Sequence, residues 1–156
     1  MSAANTTCNG STAHLVVRMS NIHSKGCYTL APIAEGTHIV EYTGERITPD
    51  EADARYEHRE DTYLFGLDDE RYVIDGDGVA AFINHSCNPN CESDEIDGHV
   101  WIIALRDIAA GEELTYDYCL YDGDDESPCS CGAHQCRGTL YSDEEMERRA
   151  RELAEN

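Results

Sequence analysis

Lysine is almost absent from this chain of 156 residues: Lys25 is the only one, beside ten arginines. Positive charge as a whole is scarce, with 11 Lys and Arg against 32 Asp and Glu and a formal net charge of −21. That balance lacks the basic footprint that a phosphate backbone requires, so no direct nucleic-acid binding is expected. A field of this sign favours encounter with a basic protein or peptide, and it also keeps a chain soluble. Compositional bias is the simplest cause of the missing lysine; avoidance of self-modification is a second. Long apolar runs are missing too. No stretch approaches the roughly 18 residues a membrane span needs. The first eleven residues have neither the basic start nor the apolar middle of a secretory signal. A soluble intracellular protein is expected, nuclear or cytoplasmic left open.

The length and a hydrophobic content of 40% suit one folded domain with a real core. The apolar pattern is mostly short and strand-like. Strands are expected at Leu15–Arg18, at His38–Tyr42 ending in a turn at Thr43-Gly44, and at Leu114–Tyr118. Tyr63–Leu67 and Arg71–Ile74 flank an acidic turn and suggest a hairpin. His99–Leu105 is apolar on both faces, as a central strand would be. Thr48-Pro49-Asp50-Glu51 opens a helix to about Glu60, with threonine as N-cap and proline at the first helical position. Ser142-Asp143-Glu144-Glu145 reads as a capping box for a second helix, to about Glu152. The fold class is therefore mostly β, with few helices.

There are eight cysteines, three of them in the pattern Cys129-x-Cys131-x4-Cys136. Thiolates at this density suit a closed, structural Zn²⁺ site with four tetrahedral ligands. Spacing alone leaves the fourth ligand open among Cys87, Cys91, Cys119 and His134. It also leaves open free thiols, or one disulfide with a spare.

Three motifs in order identify a family. Asn84-His85-Ser86-Cys87-x-Pro89-Asn90 is followed by Gly111-Glu112-Glu113-Leu114-Thr115-Tyr116-Asp117-Tyr118. The cysteine cluster, ending in Arg137-Gly138, comes third. Together with Ile22–Gly26, Glu41–Glu45 and Tyr63, this resembles the SET-domain protein lysine methyltransferases that carry a post-SET zinc segment. The likeness runs from about Ser20 to Leu140. It implies a SET fold of several small curved β-sheets, with a pseudoknot where the Asn84–Cys87 segment meets the later strand. It implies a division into an N-terminal tail (1–12), a SET domain (13–121), a post-SET zinc segment (122–141) and a charged C-terminal helix (142–156). S-adenosylmethionine and one structural Zn²⁺ are the implied cofactors.

Matched position by position, the resemblance implies that Cys87 joins Cys129, Cys131 and Cys136 as zinc ligands. It implies cofactor contacts from His23, Lys25, Gly26, Tyr63, Asn84, His85, Ser130 and Leu140. Tyr118 becomes the principal catalytic tyrosine, Tyr116 sits beside the target amine, and Tyr42 and Tyr63 form channel walls. Nine tyrosines against two phenylalanines is a skew that packing alone does not require. Two departures stand out. The family's Gly-x-Gly is Ser24-Lys25-Gly26 here, and an arginine position is occupied by Ala81.

The implied reaction is an in-line displacement, in which positioning carries most of the rate. A lysine with a pKa of about 10.4 is neutral in only about one molecule in a thousand near physiological pH, a cost of about 4 kcal/mol. A phenol-lined channel that desolvates the ammonium lowers that pKa. The implied function is methyl transfer from S-adenosylmethionine to a lysine of a basic protein, plausibly a histone or histone-like tail. The alternative is an inactive zinc-bearing SET module that holds basic peptides. A hydroxyl at Tyr116 restricts the room beside the amine and points to mono- or dimethylation.

Overall fold

The computed structural model describes residues 14–59, 62–121 and 127–156. The expected tail at 1–12, Cys8 and Glu60 lie outside the described residues. The helix expected to reach about Glu60 ends earlier, at Tyr56, with Glu57 as its C-cap.

Among the described residues, ten short strands form four small sheets. β1 (Leu15–Met19) and β2 (Lys25–Thr29) pair antiparallel, with Leu15 opposite Thr29 and Met19 opposite Lys25. β3 (His38–Tyr42), β9 (His99–Ala104) and β8 (Cys91–Ile96) form a three-stranded sheet with β9 in the middle. The central place of β9 follows from its sequence. Val100, Ile102, Ile103 and Ala104 are all buried, so both of its faces meet core. β4 (Gly44–Ile47), β6 (Val73–Gly76) and β5 (Leu64–Gly66) form the third sheet. In the fourth, β7 (Asn84–His85) and β10 (Thr115–Tyr116) lie parallel, which brings the two motifs expected to meet side by side. Ile39, Ile83, Ile102, Ile108 and Leu114 fill the common core.

Two strands of the three-stranded sheets carry no legible sequence signal. β8 reads Cys-Glu-Ser-Asp-Glu-Ile and lies at a sheet edge. It is a strand because β9 supplies six consecutive partners for it. β4 begins at Gly44, where a turn was expected. The chain instead passes straight from β3 into the next sheet. A side chain at Gly44 would put its Cβ 1.9 Å from the Asp75 carbonyl oxygen, so the close approach of β4 to β6 demands glycine. The β5–β6 hairpin forms, but Gly66 pairs with Val73, so the connection is longer than the three acidic residues suggest.

Helix α1 spans Pro49–Tyr56 and carries a complete capping box. Glu51 N–H donates to Thr48 Oγ1 at 3.2 Å, and Thr48 N–H donates to Glu51 Oε2 at 3.0 Å. Helix α2 spans Asp143–Glu155. Only half of its expected box forms. Glu145 N–H donates to Ser142 Oγ at 3.2 Å, but Ser142 N–H donates to the Leu120 carbonyl. The Glu145 carboxylate turns instead to Arg148 and Arg149. None of these helices is long and apolar enough to cross a membrane.

Candidate active site and thiol cluster

A cavity of about 280 Å³ opens between the β1–β2 turn, the segment just before β7 and the C-terminal segment. Seven of the eight residues expected at a cofactor line it: His23, Lys25, Tyr63, Asn84, His85, Ser130 and Leu140. The eighth, Gly26, is buried beneath it. A Cβ there would stand 2.1 Å from Glu113 Oε1, so glycine makes room for that carboxylate. Phe82, Ala81, Thr62 and Pro128 line the cavity as well and were not anticipated. Among the described residues that line it there is no carboxylate, although the chain has 32, while the single lysine stands at its wall.

The Asn84–Asn90 motif works as a set of staples, one polar group at a time. Asn84 Nδ2 donates to the Lys25 carbonyl and to Glu113 Oε1, both at 2.9 Å, which ties the β1–β2 turn to the later strand. Asn90 accepts from Thr115 N–H at 2.9 Å and donates to the Glu113 carbonyl at 2.8 Å. Ser20 donates to Glu113 across 93 residues of sequence. Glu113 is therefore a hub that the sequence reading missed. Its only signal was a carboxylate in a motif that is otherwise turning buried.

The aromatic residues form a continuous array. Tyr42 meets Phe65 at a centroid distance of 5.1 Å, Phe65 meets Tyr116 at 6.2 Å, and Tyr116 meets Tyr118 at 4.9 Å. His85 packs edge-on to Tyr118 at 5.4 Å. Tyr118 and Tyr63 line the cavity, whereas Tyr116 and Tyr42 are buried and do not line it. Tyr42 donates its hydroxyl to the Tyr63 carbonyl at 2.6 Å, so it holds the wall in place. Tyr118 donates to the Ile83 carbonyl at 2.6 Å. Among the described residues none bonds the Tyr116 hydroxyl. Burial, together with neighbouring phenols at Tyr42 and Tyr116 and Glu113 at Tyr118, pushes all three phenols above their ordinary range. They remain protonated near neutral pH.

Ser24 occupies the first glycine position of the family's Gly-x-Gly and has a φ of 39°. A residue with a Cβ pays about 1–2 kcal/mol in this left-handed region. Ser24→Gly is expected to stabilise the protein by about 0.5–1 kcal/mol, the strain relieved less the extra backbone entropy of glycine. A higher urea midpoint at constant slope measures it; an unchanged or lower midpoint contradicts the strain.

The thiols of Cys87, Cys129, Cys131 and Cys136 lie within 4.8 Å of one another and can hold a metal ion. Cys87 Sγ and Cys129 Sγ are 3.8 Å apart, well beyond a disulfide bond. A tetrahedron with metal–sulfur bonds of about 2.3 Å has edges of about 3.8 Å, so the spacing suits four-coordinate metal. Cys91, Cys119 and His134 are not part of the group. Cys91 and Cys27 are buried thiols, pushed up to about 12 chiefly by desolvation. Burial opposes ionisation of Cys131 as well. The amides of Cys87 and Ala133 and the thiols of Cys129 and Cys136 outweigh it and bring Cys131 down to about 6. Backbone N–H groups of Arg137 and Gly138 point at Cys87 Sγ and Cys136 Sγ, a donor set that suits thiolates rather than thiols.

The SET domain family matches residues 24–119 of this chain. The histone-lysine N-methyltransferase ATX2 of Arabidopsis thaliana is 43% identical over 145 residues, covering 84% of this chain and 13% of that protein. An H3 lysine-4 specific histone-lysine N-methyltransferase of Emericella nidulans is 44% identical over 137 residues, covering 78% and 11%. The histone H3-lysine(4) N-trimethyltransferase ATX1 of Arabidopsis thaliana is 41% identical over 145 residues, covering 85% and 14%. The chain thus spans a small part of the length of the curated relatives it matches. With the motif residues of the match gathered on one cavity, the chain belongs to the SET-domain family.

Proposed function

We propose that this chain transfers methyl groups from S-adenosylmethionine to a lysine side chain of a basic protein, a histone H3-like tail being the favoured substrate. The observation that carries this reading is the cavity. It is lined by seven of the eight expected cofactor residues, free of carboxylates among its described lining, and bounded by a protonated phenol at Tyr118. S-adenosylmethionine supplies an electrophilic methyl group on a sulfonium. The Lys25 ammonium would face the cofactor's carboxylate, and the backbone of His23–Gly26 would cradle its amino-acid end. Tyr63, Ser130 and Leu140 would bound the remainder, with Asn84 and His85 contacting it through main chain and side chain.

For the amine, the phenols of Tyr116 and Tyr118 offer neutral polar groups in a dry setting. A carboxylate in the same place would hold the lysine as its ammonium and oppose attack. Cys87, Cys129, Cys131 and Cys136 would hold one structural Zn²⁺, which orders the C-terminal wall of the cavity. The exterior acidity acts at longer range, on capture of a basic tail. The relatives named for histone lysine methylation support the substrate class.

Isothermal titration of the metal-loaded protein with S-adenosylmethionine, followed by mass spectrometry of labelled H3, tests the reading. Micromolar binding and methylated lysine are expected. No cofactor binding would favour a peptide-holding module without catalysis. The same assay reads the product distribution. The unpaired Tyr116 hydroxyl would hold a water beside the amine and limit addition to one or two methyls. Tyr116→Phe is expected to shift the product towards trimethyl-lysine; an unchanged distribution refutes that role.

A further inference from the structure

We propose that the His85 imidazole is a positioning residue that links the thiol cluster to Tyr118. The inference rests on the reading of the cluster as a metal site and of Tyr118 as the reaction tyrosine. His85 Nδ1 accepts the backbone N–H of Tyr118 at 3.0 Å. His85 Nε2 lies 3.3 Å from Cys87 Sγ. The ring is almost fully buried, 3% exposed. With Nδ1 occupied as an acceptor, the proton of the neutral ring sits on Nε2 and points at the sulfur. One tautomer therefore satisfies both partners.

A sulfur that binds metal carries more negative charge than a thiol and accepts that N–H more strongly. Loading the cluster thus fixes the ring, and the ring fixes the backbone of Tyr118. The same peptide places the Tyr118 phenol on the Ile83 carbonyl, one residue before the β7 strand that carries His85. A second arm runs alongside. Arg137 follows the last thiol, donates its amide N–H to Cys87 Sγ at 3.3 Å, and grips Asp117 with two hydrogen bonds of 2.7 and 2.9 Å. Both arms converge on residues 117 and 118. An imidazole serves here because it alone presents an acceptor and a donor on opposite sides of a rigid ring.

Two substitutions separate the ends of the link. His85→Asn keeps an acceptor near the Nδ1 position and loses the reach to sulfur. His85→Gln keeps a donor near the Nε2 position and loses the Tyr118 contact. The experiment uses cadmium-loaded, isotope-labelled full chain, with metal uptake followed by thiolate charge-transfer absorbance. In the unsubstituted protein, the His85 Nε2–H resonance is expected to show scalar coupling to cadmium across the N–H···S bond. His85→Asn is expected to release metal about 10–100-fold faster to a chromogenic chelator. His85→Gln is expected to exchange the Tyr118 amide about tenfold faster and to lower kcat about tenfold. Metal uptake with no coupling at His85, or a Tyr118 amide indifferent to both substitutions, overturns the proposal. A kcat kept at the parent value in His85→Gln also overturns it, because Tyr118 would then not depend on the ring. Failure to take up metal at all removes the reading of the cluster, and this link with it. The measurement on the unsubstituted protein decides the matter even where a variant fails to fold.

Discussion

Tyr118→Phe is expected to lower kcat by roughly 100–1,000-fold, the usual cost of removing one preorganised polar group from a reaction centre. The argument begins with the proton. The Tyr118 hydroxyl gives it to the Ile83 carbonyl at 2.6 Å, which leaves the phenolic oxygen as an acceptor. Burial, and then Glu113, keep the phenol protonated, so it is not a base near neutral pH. It can receive an N–H of the incoming amine and face positive charge at the transferring methyl, both of which matter more at the transition state than before it. Phenylalanine keeps the ring, its packing on Tyr116 at 4.9 Å and its edge contact with His85, and deletes only the oxygen. KM for the cofactor should move little. Stability should fall by about 1 kcal/mol for the lost bond to Ile83. Single-turnover rates beside thermal unfolding measure both. A rate within a factor of a few of the parent would remove Tyr118 from the chemistry.

The two hydroxyl environments explain why tyrosines 116 and 118 are not interchangeable despite adjacent rings. The Tyr118 oxygen is fixed by a carbonyl, while that of Tyr116 has no partner among the described residues. The sequence announces two phenols two residues apart, and so on one side of a strand, but it cannot say which is anchored. The anchor, Ile83, lies 35 residues away.

The same distinction runs through the rest of the molecule. Residues whose identity is itself the chemistry could be read in advance: the thiols, the Asn84–Asn90 motif and Gly26 of β2. Residues that act by meeting a distant partner could not. Glu113 gains its meaning from Ser20 and Asn84, and Asp117 from Arg137. Among the elements, α1 was legible because both halves of its cap are local. The cap of α2 was legible only in part, because the Leu120 carbonyl competes for Ser142 N–H. β8 was hidden because an acidic edge strand takes its structure from the neighbour it pairs with. Tyr42 shows the same dependence on a distant partner, since its hydroxyl donates to the Tyr63 carbonyl 21 residues away.

Removal of metal from the cluster is expected to have the largest effect of all on the C-terminal segment. Residues 127–141 have little structure of their own. Two isolated bridges, Leu120 with Tyr141 and Pro128 with Thr139, join them to themselves and to the body. Arg137 adds two hydrogen bonds to Asp117, and Thr139 and Tyr141 are buried. The remaining tie is the cluster: Cys87 from the body, and Cys129, Cys131 and Cys136 from the segment. Structural zinc in small peptides contributes about 10–16 kcal/mol near neutral pH, as much as a whole small domain's stability. No set of a few hydrogen bonds replaces that. A chelator should therefore release the segment while the β3–β9–β8 sheet, with Val100 and Ile102 at 1% and 0% exposure, stays folded. Because Pro128, Cys129, Ser130 and Leu140 form one side of the cavity, affinity for S-adenosylmethionine should fall by about 100-fold or more in the same step. Cys87→Ser is the chelator-free counterpart. It keeps the size of the side chain and removes the sulfur that His85 and Arg137 both address. Hydrogen exchange should show amides of 127–141 losing protection and those of 100–104 keeping theirs. Unchanged protection after the four thiols become titratable would mean that the tail is held by its own contacts and that the cluster is not its anchor.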